Sequence, residues 1–126
     1  MKKIILDTNF LLIPVQFKID IFSEIERICL FKYKIYIIDK TIDELKKIIE
    51  TQNMKSREAA KVALALVKQK KIDVIKTGEG RVDDLIADLM DKEHILATQD
   101  AELRKRALDK GAKVILLRSK KHLMLK

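Results

Sequence analysis

The chain has 126 residues, a length that suits one domain built on a single core. Hydrophobic residues make up 48% and charged residues 37%, which excludes a wholly disordered chain and describes a globular protein with a heavily charged shell. Lys and Arg number 27 against 19 Asp and Glu, and the resulting charge of +8 favours a polyanionic partner such as nucleic acid, because each neutralised phosphate releases counterions.

The predicted elements alternate from the start. Residues 3–6 read as a short buried strand that stops on Asp7-Thr8-Asn9. The basic Met1-Lys2-Lys3 is like the start of a signal peptide, but Asp7 ends the apolar stretch too early. The longest apolar run, 10–15, contains Pro14 and falls far below the ~20 residues of a membrane helix. Ile21, Ile25 and Ile28 then share one helical face. Next comes Cys29, the only cysteine, which precludes an intramolecular disulfide. Its apolar neighbours Ile28, Leu30 and Phe31 mark it as a small core residue. A cytoplasmic protein that does not enter a membrane is the expectation.

A second strand is expected at 34–38, followed by a helical hairpin from about 40 to 71 that breaks near Thr51-Gln52-Asn53. The third strand, 72–75, leads through Gly78-Glu79-Gly80 to a helix in which Val82, Leu85, Ile86 and Leu89 share a face. The fourth, 95–97, runs into Thr98-Gln99-Asp100 and a short helix closed by Gly111, which suits a left-handed cap. A fifth strand at 113–117 precedes the basic run Arg118-Ser119-Lys120-Lys121-His122. Strands alternating with helices imply crossover connections, hence one three-layer α/β/α domain over 1–126 with a mostly parallel five-stranded sheet.

Four acids fall at the carboxyl ends of these strands: Asp7, Glu44, Asp83 and Asp100. Ligands of open α/β sheets bind beyond that edge. Carboxylates about 4 Å apart repel by roughly 4 kcal/mol per pair at an effective dielectric near 20. Mg²⁺ or Mn²⁺, which take oxygen ligands, would relieve this and support phosphodiester hydrolysis. Each acid also has a structural reading. Thr41 and Glu44 fit a capping box, Asp83 and Asp84 suit a helix dipole, and Asp100 suits an N-cap. Asp7 has few helical amides to cap, so it carries most of the case for a site.

These motifs, in this order and spacing, resemble the PIN-domain ribonucleases over essentially the full length of the chain. The resemblance rests on Asp7-Thr8-Asn9, on Glu44 within Thr41-Ile42-Asp43-Glu44-Leu45, on Val82-Asp83-Asp84-Leu85-Ile86-Ala87 and on Ala97-Thr98-Gln99-Asp100. It implies a metal-dependent endoribonuclease whose Mg²⁺ or Mn²⁺ is held by Asp7, Glu44, Asp83 and Asp100, with Thr8 and Thr98 in support. It leaves Asp84 and Glu102 as lesser candidates. The stretches 7–22 and 117–123 are most similar to stand-alone archaeal PIN proteins related to the small-subunit processome nuclease, which implies ribosomal RNA processing. The wider family also implies alternatives: a toxin controlled by an antitoxin, or an idle scaffold that binds RNA or protein. RNA, an antitoxin or ribosome-assembly factor, and a second copy of the chain are the partners expected.

Basic residues Arg104, Lys105, Arg118 and Lys120 are the candidate RNA contacts, the first two because they share a helix with Asp100. The chain has no Trp, two Tyr and four Phe, so no stacking platform for bases is legible. His94 and His122 have no Ser or Cys placed as a nucleophile beside them, and Gly78-Glu79-Gly80 lacks the pattern of a phosphate loop. A phosphoacceptor receiver domain also ends its strands on acids, but Lys113 is poorly placed for that chemistry.

Overall fold

A computed structural model describes residues 1–126. The elements follow in the order β1 (Lys2–Leu6), α1 (Thr8–Leu11), α2 (Ile13–Phe17), α3 (Ile21–Ile28), β2 (Tyr33–Ile38), α4 (Asp39–Thr51), α5 (Met54–Gln69), β3 (Asp73–Ile75), α6 (Val82–Leu89), β4 (His94–Ala97), α7 (Ala101–Asp109), β5 (Lys113–Arg118) and β6 (His122–Leu125). The sheet order is β3-β2-β1-β4-β5-β6. Every pairing is parallel except that of β5 with β6. The chain builds outward from β1 to β2 and β3 on one side, then returns to place β4 and β5 on the other. The order therefore reverses beside β1, and crevices open beyond the carboxyl ends at such a point.

Strand alternation sends successive side chains to opposite faces. Ile4, Leu6, Ile37, Ile95 and Ala97 enter one core with Ile21 and Ile25 of α3, Leu45 of α4 and Ala60 and Ala63 of α5. Ile5, Ile38, Leu96 and Val114 enter the other with Ile86 of α6 and Leu103 and Ala107 of α7. These two cores are the two interfaces of the expected three-layer domain. Cys29 is buried in the first, and burial pushes its thiol above the usual range, as suits a packing residue. The α4–α5 hairpin breaks at Gln52 and Asn53, where Asn53 caps α5 by accepting from Ser56 N at 2.9 Å. Gly111 takes φ +88°, the left-handed conformation expected after α7. No helix is long and apolar enough to cross a membrane.

Three local expectations change. The sheet has six strands, because the basic run after β5 forms a turn and His122–Leu125 pairs back on β5 as β6. The outer edge of β6 is closed by α3: Leu123 N donates to Glu24 Oε1 at 2.9 Å and Arg27 Nη2 donates to Leu123 O at 3.2 Å. The α4 capping box does not form. The helix starts at Asp39, two residues before Thr41, so Thr41 lies inside the first turns with its hydroxyl buried and unpartnered. Finally, Asp7 does find a helical amide: it caps α1, accepting from Thr8 N at 2.8 Å through Oδ1.

Candidate active site

Asp7 follows β1 directly, and its own N–H extends the ladder by donating to Ala97 O at 2.9 Å. The carboxylate is therefore fixed where β1 and β4 end together. Its residue is 5% exposed, and both oxygens are engaged, Oδ1 by Thr8 N and Oδ2 by the Thr98 hydroxyl at 2.7 Å. Burial, with the negative charges of Glu44 and Asp83 adding to it, pushes the carboxyl from 3.8 up to about 6 against the opposing pull of these two hydrogen bonds. An acid raised by burial beside other acids is a common mark of a functional cleft.

Thr98 is fully buried and organises the β4 side. Its one proton serves Asp7, the nearer acceptor, while its oxygen accepts from Asp100 N at 3.1 Å. Across from it, Asn9 clasps the β1 and β4 ends: Gln99 N donates to Asn9 Oδ1 at 3.0 Å and Gln99 Nε2 donates to Asn9 O at 2.7 Å. Sequence reading found the Asp7-Thr8-Asn9 and Thr98-Gln99-Asp100 motifs but gave Asn9 and Gln99 no role. Nothing in either residue type announces a clasp to a residue 90 positions away.

The remaining acids lie on either side of Asp7. Glu44, from the second turn of α4, accepts a hydrogen bond from the Thr8 hydroxyl, so the residue after the first acid positions the second. Asp83 is half-buried in the first turn of α6 and shares a cleft with Asp84, Asp100 and Glu102, among which Arg81 and Arg106 are interleaved. Asp84 is exposed and spent on Arg106 at 2.9 Å. Asp100 caps α7 through Oδ1, which accepts from Glu102 N and Leu103 N at 2.9 and 3.2 Å, so the N-cap reading holds for it. The β3–α6 loop that delivers Asp83 is tied down by Asp39, another acid without a role in the sequence reading. Asp39 accepts from the Thr77 hydroxyl at 2.5 Å and from Thr77 N at 3.3 Å, and these bonds hold its carboxyl down at about 2.

Together the acids form an open arc, Glu44 to Asp7 to Asp83 to Asp100, along the carboxyl edge. No three of them converge closely enough to enclose an ion as they stand, since Glu44 is drawn to Thr8 and Asp100 to its own helix. The donor set still fits Mg²⁺ or Mn²⁺: it is all carboxylate, hard, delivered by separate elements, and centred on an acid whose carboxyl is raised chiefly by burial, with Glu44 and Asp83 adding to it. Of the candidate RNA contacts, Arg104 donates to Thr98 O at 3.2 Å and shares a cleft with Lys120, whereas Lys105 points from the exposed face of α7. Arg118 is exposed beside Met124. His94 contacts Asp91 at 2.6 Å, and His122 is exposed on β6, so neither histidine joins the arc.

A family described as PIN-like domain matches residues 4–120. The chain belongs to that family. Ribonuclease VapC4 of Methanocaldococcus jannaschii is 32% identical over 124 residues, spanning 97% of this chain and 95% of the relative. The PIN domain endonuclease Utp24 is structurally similar with a TM-score of 0.79 and 25% identity, over 98% of this chain and 90% of that one. VapBC-1 from nontypeable Haemophilus influenzae shares the fold at a TM-score of 0.55 and 17% identity, over 85% of this chain and 93% of that one. The expected PIN-like architecture is thus the observed one, with one strand added to the sheet.

Proposed function

We propose that this PIN-like domain is an endoribonuclease that hydrolyses RNA phosphodiester bonds with Mg²⁺ or Mn²⁺. The observation that carries the reading is the buried Asp7 carboxylate, pushed up to about 6 between Glu44 and Asp83 at the end of the central strand. Membership of the PIN-like family and likeness to a ribonuclease support it. Asp7, Glu44, Asp83 and Asp100 would hold the ion, which when bound lowers the pKa of water and neutralises charge developing on the phosphate. Thr8 and Thr98 keep the flanking carboxylates oriented, and Asn9 with Gln99 locks the two strand ends that carry them. Arg104 and Lys120, with Lys105 and Arg118 farther out, supply positive charge for the RNA backbone.

Two cellular roles fit this chemistry. The sequence relative named Ribonuclease VapC4 supports the antitoxin-controlled role, with an antitoxin as partner. Ribosomal RNA processing rests on sequence texture alone. Purified protein should cleave RNA in Mn²⁺, lose cleavage in EDTA, and lose it in Asp7→Asn with the fold retained. Cleavage that survives EDTA, or full activity in Asp7→Asn, overturns the reading. Growth arrest on expression, relieved by a neighbouring gene, would select the antitoxin-controlled role.

A further inference from the structure

Beside the acidic arc lies a second cleft of different chemistry, about 390 Å³ in volume and lined by Phe17, Gln99, Arg104, Leu117, Ser119 and Lys120. We propose that it is a subsite for one unpaired nucleotide of an RNA strand flanking the cleaved bond, its phosphate held between Arg104 and Lys120 and its base laid against Phe17 and Leu117. The proposal rests on the ribonuclease reading and extends it to the form of the substrate.

The cleft adjoins the arc directly. Gln99 and Arg104 belong to both regions: Gln99 donates to Asn9 O at 2.7 Å, and Arg104 donates to Thr98 O at 3.2 Å while Thr98 holds Asp7. A strand whose phosphate sits at the arc can continue past these residues into the cleft.

The two clefts differ in charge. In the acidic cleft Arg106 is paired with Asp84, so that cation is neutralised. Here no acid lines the cleft, and Lys120 has no protein partner within ion-pair distance. An unopposed Arg and Lys facing one space suit a phosphate. The partly exposed Phe17 and Leu117 supply the apolar surface on which a base can lie only when it is not paired.

The turn that delivers Lys120 is itself strained. Ser119 and Lys120 both adopt left-handed backbone, at φ 55° and 56°, in a turn closed by Lys121 N donating to Arg118 O at 3.1 Å. Two-residue turns of this hand ordinarily carry Gly or Asn. A lysine there accepts strain that glycine would avoid, and its side chain is what the strain delivers to the cleft.

The test is fluorescence anisotropy in EDTA, with a ten-nucleotide single-stranded RNA and a duplex of the same length as probes, beside a cleavage assay in Mn²⁺. Lys120→Gly should weaken single-strand binding about tenfold and lower the salt slope by about 0.7, while melting no lower than the parent. Phe17→Leu should weaken binding of the single strand severalfold and of the duplex not at all. Lys113→Ala, at the amino end of β5 and away from the cleft, should bind like the parent. Parental affinity in both Lys120→Gly and Phe17→Leu overturns the subsite, as does equal binding of duplex and single strand. Tighter binding of a ten-residue poly-Glu peptide than of RNA would also overturn it, in favour of a protein ligand. If the binding pattern appears without cleavage in Mn²⁺, the subsite stands and the ribonuclease reading falls. Cleavage with unchanged variant binding gives the reverse.

Discussion

Thr98 donates its hydroxyl proton to Asp7 Oδ2 at 2.7 Å, joining residues 91 positions apart at the ends of two neighbouring parallel strands. The same oxygen accepts Asp100 N at 3.1 Å, so one buried hydroxyl sets both the acid after β1 and the start of α7. Thr98→Val removes the donor that pulls the Asp7 carboxyl down, so its pKa should climb above its present value of about 6. The acid limb of the pH profile for Mn²⁺-dependent cleavage should then move to higher pH, and Thr98→Ser should restore it. Loss of the buried hydrogen bonds should also cost about 1–3 kcal/mol, read by urea denaturation. An unmoved pH profile would reduce Thr98 to a packing residue.

Asp7 gives a stability signature of definite sign. Its folded pKa lies above the ordinary 3.8, so between about pH 4 and 6 the unfolded chain has released a proton that the folded chain keeps. Stability should fall as pH rises through that window, with the full deficit, on the order of 3 kcal/mol, present above pH 7. Asp7→Asn should therefore melt higher than the parent at pH 8 in EDTA, by roughly 5–10 °C, and the difference should close near pH 4. Parallel melting curves at the two pH values would contradict the electrostatic account.

The unformed capping box makes Thr41 and Glu44 separable. A capping threonine replaced by valine should cost about 1 kcal/mol. Here Thr41→Val removes a buried hydroxyl with no partner, so denaturation should find it neutral or stabilised by up to about 1 kcal/mol. Glu44→Gln keeps an acceptor for the Thr8 hydroxyl and loses only charge. Calorimetric titration should show weaker Mn²⁺ binding, with a melting temperature no lower than the parent's because a charge facing Asp7 is removed.

Adjacent acids on α6 should behave differently. Asp83 adds to the repulsion on Asp7, whereas Asp84 is exposed and paired with Arg106. Asp83→Asn should lower Mn²⁺ affinity at least tenfold. Asp84→Asn should lower it less than threefold and cost under about 1 kcal/mol, the usual worth of an exposed pair. Equal effects of the two substitutions would show that the ion reaches the outer face of the helix.

Most elements were legible because their signals are local. Short Ile- and Val-rich runs, amphipathic helices and the Gly111 stop place five strands and the principal helices within a residue or two of their observed bounds. The sixth strand was hidden because its turn carries Ser119 and Lys120 in left-handed backbone, where a hairpin is ordinarily announced by Gly or Asn. The capping box misled because Thr41 and Glu44 have the right spacing but α4 begins at Asp39, continuing directly from β2.

The sequence by itself determined which acids stand at strand ends and that a parallel sheet would bring those ends to one edge, since crossover connections leave little other choice. Tertiary structure decided what each acid does there. Thr8 turns to Glu44 and Thr98 to Asp7, Asn9 meets Gln99, Arg106 neutralises Asp84, and Arg104 and Lys120 come to line one second cleft. Most of these pairings join residues tens of positions apart. Hydrogen bonding and burial act over a few ångströms of space, and only the completed sheet brings such residues that close.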